Sequence, residues 1–333
     1  MKTNLKSVIA IACMAQLFFS CKKDKIDNPE IPAEVIVAGS DNGVANVWKN
    51  GIASAISTAS ASYAKAIAVS GNDVYATGYE NTPGGWRGKV WKNGALLHSM
   101  GESGFPTVGY GIAVANNNVY VAGHGYNSFS FEHYAILWTN DTPAFLTDGL
   151  EQAEAFGVTV YGSDVYVAGY YGNEARLWKN GVIVPIANGT GYHAISVTVV
   201  GNDVYVLGNL NAVTGRIKYW KNGNEINITD GSFSAMGTSL IVSGTDVFIS
   251  GAEANAANKY VAKIWKNGNP VSLSDGTKSA WAYGVAVKGT DVYVAGVENS
   301  TTAGGIQNAM FWKNGVRTVL SSNSSNATAI FVR

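Results

Sequence analysis

Cysteine is almost missing from this chain, and the little there is sits at one end. Cys13 and Cys21 are the only two in 333 residues. Nothing beyond residue 21 can therefore be joined by a disulfide, and a body of this size must be held by its core and its topology. Charge is scarce as well. Charged residues make up 14% of the chain, and 23 Lys plus Arg balance 23 Asp plus Glu. That excludes a basic field able to hold a nucleic-acid backbone or an anionic membrane surface, so no nucleic-acid partner is expected. Long apolar runs are absent too. The stretch Val8–Phe19 is twelve residues broken only by Gln16, short of the roughly 17–25 that a membrane-crossing helix needs. No nucleophile elbow, His-Glu-x-x-His, phosphate loop or paired-carboxylate motif occurs. No catalytic residue can be named from the sequence, and no cofactor or metal is expected.

What is present is a repeat. Trp-Lys-Asn-Gly starts at Trp48, Trp91, Trp178, Trp220, Trp265 and Trp312, and a weakened copy, Trp138-Thr139-Asn140-Asp141, fills the one gap. The starts lie 40 to 47 residues apart, and a period in this range marks a solenoid, propeller or array. Residues 283–320 show the content of one unit. Tyr283–Val287 reads as an inner strand a, and Lys288-Gly289-Thr290-Asp291 as a type II′ turn. Val292–Gly296 reads as strand b and Asn308–Trp312 as strand c. Lys313-Asn314-Gly315-Val316 has the composition of a type I′ hairpin, and strand d follows it. Four antiparallel strands in such a unit form one propeller blade. The Asp after each a–b turn (Asp73, Asp164, Asp203, Asp246, Asp291) is read as turn chemistry. The seven Trp are read as packing between blades.

The ends of the chain complete each other. Glu34–Gly39 reads as a strand b with no strand a before it. Ala327–Arg333 reads as a strand a with no b after it. Pairing them in one blade closes the ring at seven blades and removes unpaired edges. The fold expected over residues 34–333 is thus an all-β, seven-bladed β-propeller of four antiparallel strands per blade.

The N-terminus reads as a targeting segment. Lys2 and Lys6 precede the apolar stretch, and Ser20-Cys21-Lys22-Lys23-Asp24 follows it. It resembles a bacterial lipoprotein signal spanning residues 1–21, with Cys21 as the lipid-bearing residue and residues 22–33 as a polar tether. The pattern Asp-Val-Tyr-Val-Ala-Gly, a gap, then Trp-Lys-Asn-Gly resembles repeat-propeller lipoproteins of the Bacteroidota, and more loosely kelch-type propellers. It lacks the Gly-His and Trp-Asp marks of WD40 units and the Asp boxes of sialidases. The resemblance implies the fold and attachment to the outer membrane through the lipid alone. It carries no catalytic residue across.

In such a blade the a–b and c–d turns share one face and the b–c loops and d–a links share the other. The first face is made of tight turns, so binding is expected on the variable second face. The tether reaches strand b on the tight-turn face, which would point the variable face away from the membrane. The unit Tyr110–Leu150 departs most from the repeat, and Tyr126, Phe129, Phe131 and Tyr134 crowd its b–c segment. Tyr63, Phe105, Phe156, Tyr192, Phe233 and Trp281 are placed on d–a links, and Trp86 on another b–c loop. Aromatic rings on a shallow face suit sugars or a protein hot spot. The candidate ligand contacts are Tyr126, Phe129, Phe131, His133, Tyr134, Trp86, Tyr192 and Trp281. His124 and His133, with Glu132, match no zinc spacing on a regular element and are expected as loop polar residues. Asp41, Glu80, Glu253 and Glu298 are expected to pair with basic residues such as Lys89, Arg87 or Lys263. The expected function is that of a monomeric, non-catalytic envelope module for a glycan or protein partner. The alternatives are a polysaccharide lyase or glycosidase with a loop-built site, and a structural accessory of an outer-membrane complex.

Overall fold

The Trp-Lys-Asn-Gly motif, weakened at Trp138 to Trp-Thr-Asn-Asp, is the outer corner of every blade, and each of its residues has a separate task. In a computed structural model that describes residues 33–101, 105–126, 132–300 and 306–333, all seven repeated Trp are buried, at 0–2% exposure. Each faces the preceding blade: Trp312 packs on Phe248, Ala262 and Ile264, Trp91 on Ala38 and Ala45, and Trp48 on Tyr293 and Ala295. Asn314 and Gly315 have φ of 50° and 81°, the pair of positive values that a type I′ turn requires and that Asn-Gly tolerates.

Lys and Asn of the motif reach back to the a–b turn. The Asn314 side chain accepts from the Val292 N–H at 2.8 Å and donates to Asp291 Oδ1 at 2.7 Å. Lys313 Nζ lies 2.7 Å from Asp291 Oδ2 and 5.4 Å above the Tyr293 ring. The same clasp recurs at Asp73, Asp164, Asp203 and Asp246. These carboxylates sit at the turns, but the partners they take are the Lys and Asn side chains across the hairpin and not the local backbone N–H groups that turn chemistry implies. Glu80 pairs with Lys89 at 3.5 Å and Glu253 with Lys263 at 2.5 Å. Glu298 takes Arg317 of strand d instead, and Asp41 accepts from Ser321.

The sheets number seven among the described residues, each of four antiparallel strands. We number the blades along the chain and letter strands outward from the axis. Blade 7 is Ala280–Lys288, Asp291–Asn299, Gln307–Lys313 and Val316–Ser321. Blade 1 takes its strand a, Ser325–Val332, from the end of the chain and its strand b, Val35–Asp41, from the start of the body. They pair from Val35 with Val332 to Asp41 with Ser325. Beyond that ladder Glu34 and Arg333 exchange two backbone hydrogen bonds. The Glu34 carboxylate takes both the Arg333 guanidinium and Lys49. Arg333 also donates to the Gly71 carbonyl of blade 2 at 2.6 Å. The closed seven-bladed β-propeller expected from the sequence is the fold observed.

The inner strands run longer than expected. Strand a of blade 7 begins at Ala280 rather than Tyr283, and its counterparts are Ser62–Ser70, Thr107–Ala115, Ala153–Tyr161, Tyr192–Val200 and Ala235–Ser243 in blades 2 to 6. Tyr63, Phe156, Tyr192 and Trp281 accordingly lie within strand a and not on d–a links. Strand b of blade 3 (Asn118–Tyr126) holds His124 and Tyr126, and its strand c (His133–Thr139) holds His133 and Tyr134. The two histidines are ladder residues and not loop polars.

Candidate functional site

Every strand a carries one extra residue. The register slips at Ala64/Ala66, Gly109/Gly111, Ala155/Gly157, Ala194/Ser196, Gly237/Ser239 and Ala282/Gly284, and at Thr328 in blade 1. The extra residues are Lys65, Tyr110, Phe156, Ile195, Thr238, Tyr283 and Thr328, and together they line the axis. Bulges of this kind re-aim a side chain. Small neighbours make room for the next blade: an added Cβ on Gly111 would lie 2.4 Å from the Phe156 carbonyl oxygen.

The glycine within strand b follows from the same bulge. At Gly39, Gly78, Gly123, Gly169, Gly251 and Gly296 a Cβ would stand 1.8–2.2 Å from the carbonyl oxygen two residues before the bulged one. Only glycine lets the two backbones approach that closely.

On the loop face a basin of about 440 Å³ opens between blades 2 and 3, lined by Tyr79, Trp86, Val108, Tyr110, His124, Tyr126 and His133 among others. Trp86 is 38% exposed. Tyr79 holds it edge-on, with centroids 4.9 Å apart, and Tyr63 backs it at 6.2 Å. Tyr110 is shared with the axial space, about 380 Å³, where Lys65 and Tyr283 also stand. Lys65 Nζ lies 5.5 Å over the Tyr79 ring, and burial lowers its pKa.

At the far wall Glu154, from strand a of blade 4, meets the two histidines of blade 3. His133 Nδ1 is 3.1 Å from Glu154 Oε1, and His124 Nδ1 is 3.7 Å from Oε2. The imidazoles stack in parallel, 4.4 Å apart. Tyr110 leans on His124 and on Phe156, and Tyr170 stacks on His193 at 3.8 Å. Burial lowers His124 to about 4, although the Glu154 charge opposes it, and burial also lowers His193. Burial and the Glu154 charge raise both Tyr110 and Tyr170. Burial alone would raise Glu154, but the hydrogen bond from His133 keeps it below its ordinary value. Near neutral pH the wall therefore presents an anionic carboxylate, protonated phenols and an uncharged His124.

Of the aromatics singled out from the sequence, Trp86, Tyr126 and His133 come together in this basin. Tyr134 alternates to the other face of its strand and, partly buried, packs on Phe105 and on the exposed Phe145 of the outer strand. Tyr192 sits edge-on to Trp220 beneath the Lys218 ammonium, 3.8 Å from its ring. Trp281 stands on blade 7 against Tyr260. Phe129, Phe131 and Cys21 lie outside the described residues. Sequence reasoning did not select Glu154, Tyr110, Tyr79 or His124 for this site. A signal for the axial ring was present: small-x-small triplets such as Ala64-Lys65-Ala66 and Gly109-Tyr110-Gly111 recur in every strand a.

No protein-family model matches this chain, and no curated protein matches it. Solved structures do match. A puromycin-hydrolysing peptidase of Mycobacterium tuberculosis aligns at 9% identity with a TM-score of 0.54, over 84% of this chain and 50% of that one. TolB of Acinetobacter baumannii aligns at 13% identity with a TM-score of 0.50, over 77% of this chain and 66% of that one. The chain spans about half the length of several structures it matches. At these identities the likeness is one of fold: a β-propeller.

Proposed function

We propose that the protein is a non-catalytic glycan-binding module of the cell envelope, and that the basin between blades 2 and 3 is its binding site. The observation that carries this reading is the half-exposed Trp86, fixed edge-on by Tyr79 at the rim of an open pocket that Tyr126 also lines. A ring held rigid by other rings presents a flat apolar face at little entropic cost, which suits the C–H faces of a sugar. Lys65 in the adjoining axial space supplies a cation for a ligand that carries carboxylate or sulfate groups. A polysaccharide panel assayed by calorimetry tests the reading. Binding to at least one acidic glycan is expected, weakened tenfold or more by Trp86→Ala and by Lys65→Met. Absence of binding across the panel would refute it.

One observation favours a second reading, a polysaccharide-acting enzyme. Glu154 lies among two phenols and two imidazoles, a wall that could exchange protons with a sugar. Turnover of a bound polysaccharide, abolished by Glu154→Gln, would select it over binding alone. Residues 1–21 fit an export signal in which Cys21 receives the lipid. Mass spectrometry of the mature N-terminus tests this, with a diacylated or triacylated Cys21 expected.

A further inference from the structure

We infer that His124, His133 and Glu154 form a divalent metal site of the zinc class across the seam of blades 3 and 4. Two imidazoles and one carboxylate are the donor set of open zinc sites, which leave a fourth position for water or a ligand. Three observations converge on it. The donor atoms of the three residues all lie within 4.8 Å of one another. His133 Nδ1 lies 3.1 Å from Oε1 and His124 Nδ1 3.7 Å from Oε2 of Glu154, so both imidazoles approach one carboxylate, as ligands of one ion do. His124 is 8% exposed, yet its Nδ1 has no hydrogen-bond partner. A buried ring nitrogen 3.7 Å from a carboxylate and left without a bond is costly, and a metal ion would satisfy it.

The frame for the site is rigid. His124 and His133 sit on paired strands, and Glu154 sits on strand a of the next blade, one residue before the bulge side of Ala155 and Gly157. One adjustment is needed. The rings are parallel to within 1°, so their in-plane lone pairs run side by side. Turning either ring about χ2, a broad and soft torsion, converges them on the carboxylate. The open coordination position would then face the basin that His124 and His133 line.

The test uses the mature protein without a histidine tag. Calorimetry with Zn²⁺ alone is expected to give one site per chain, and a rise in Tm on adding the metal. His124→Asn, His133→Asn and Glu154→Gln should each lose at least tenfold in affinity, while His193→Asn, one blade away, should not. Co²⁺ should give the visible absorption bands of a four-coordinate His/carboxylate centre. Each variant is first melted without metal, so that a folding defect is separated from a binding defect. Zinc heat and Tm unchanged in the wild-type protein, or affinity equal in wild type and Glu154→Gln, would overturn the site. Since no glycan enters this experiment, its failure leaves the glycan-binding reading standing.

Discussion

At the scale of single residues, the repeat divides its work among side chains that look alike in sequence and differ in energy. The buried Trp carries the seam. Trp312→Ala should cost about 3–5 kcal/mol, read as a lower denaturant midpoint. The strand-b glycine has no contact of its own to lose, yet its Cβ would strike a backbone carbonyl. Gly78→Ala, with 1.8 Å to the Tyr63 oxygen, should destabilise more than Gly71→Ala, which strains only an open turn at φ 57° with no atom within 4 Å. Comparison of the two melting temperatures checks this. The cross-hairpin clasp sets a pH response. Lys and then Asn hold Asp73, Asp164, Asp203, Asp246 and Asp291 below the ordinary Asp value of 3.8. The unfolded chain therefore binds more protons than the folded one as the pH drops past that value. Stability from the clasps is fully present above about pH 4 and disappears as the pH falls through the lowered folded values. Asp291→Asn should flatten the acid limb of a stability–pH curve, and added salt should weaken the clasp in the parent protein.

At the scale of elements, the blade was legible because its punctuation is chemical. Asn-Gly requires a type I′ turn, Gly at the first central position requires type II′, and the spacing of Trp fixes where strand c ends. The bulge was harder to see. Ala282-Tyr283-Gly284 reads as the start of a strand when only alternation is considered, yet it is the point where the register slips and the strand continues back to Ala280. That one slip moved Tyr63, Phe156, Tyr192 and Trp281 from expected links into ladders. The same alternation separates Tyr126 and His133, which line the basin, from Tyr134, which packs on Phe105 from the opposite side of its strand. Glu154 was invisible for a different reason. It stands 21 residues from His133 in sequence and meets it only across a blade seam, whereas Glu132 is adjacent and drew the comparison instead. Closure is an element-scale property as well. Removing Ala327–Arg333 deletes the inner strand of blade 1, exposes the edge of Val35–Asp41, and should turn a cooperative melt into aggregation. Light scattering on the truncated chain reads the outcome.

At the scale of the whole molecule, seven near-equal blades make a rigid ring whose faces differ. Tight turns and their clasps occupy one face together with Glu34 and Arg333. The other carries the departures from the repeat, and these gather on blades 2 to 4. There Trp86, Tyr110, Tyr126, the two histidines and Glu154 come together, whereas in blades 6 and 7 Ala252 and Val297 stand opposite Met236 and Trp281. A ring of equal wedges needs no aromatic basin open to solvent for its stability, so the basin between blades 2 and 3 points to a ligand. The direct test is calorimetry with the acidic glycan that the wild-type protein binds, comparing Trp86→Ala and Tyr126→Ala with Tyr192→Ala and Trp281→Ala. The account predicts that the first pair loses tenfold or more in affinity and the second pair keeps the wild-type value. Retained binding in the first pair with loss in the second would place the site on the wrong blades and contradict it.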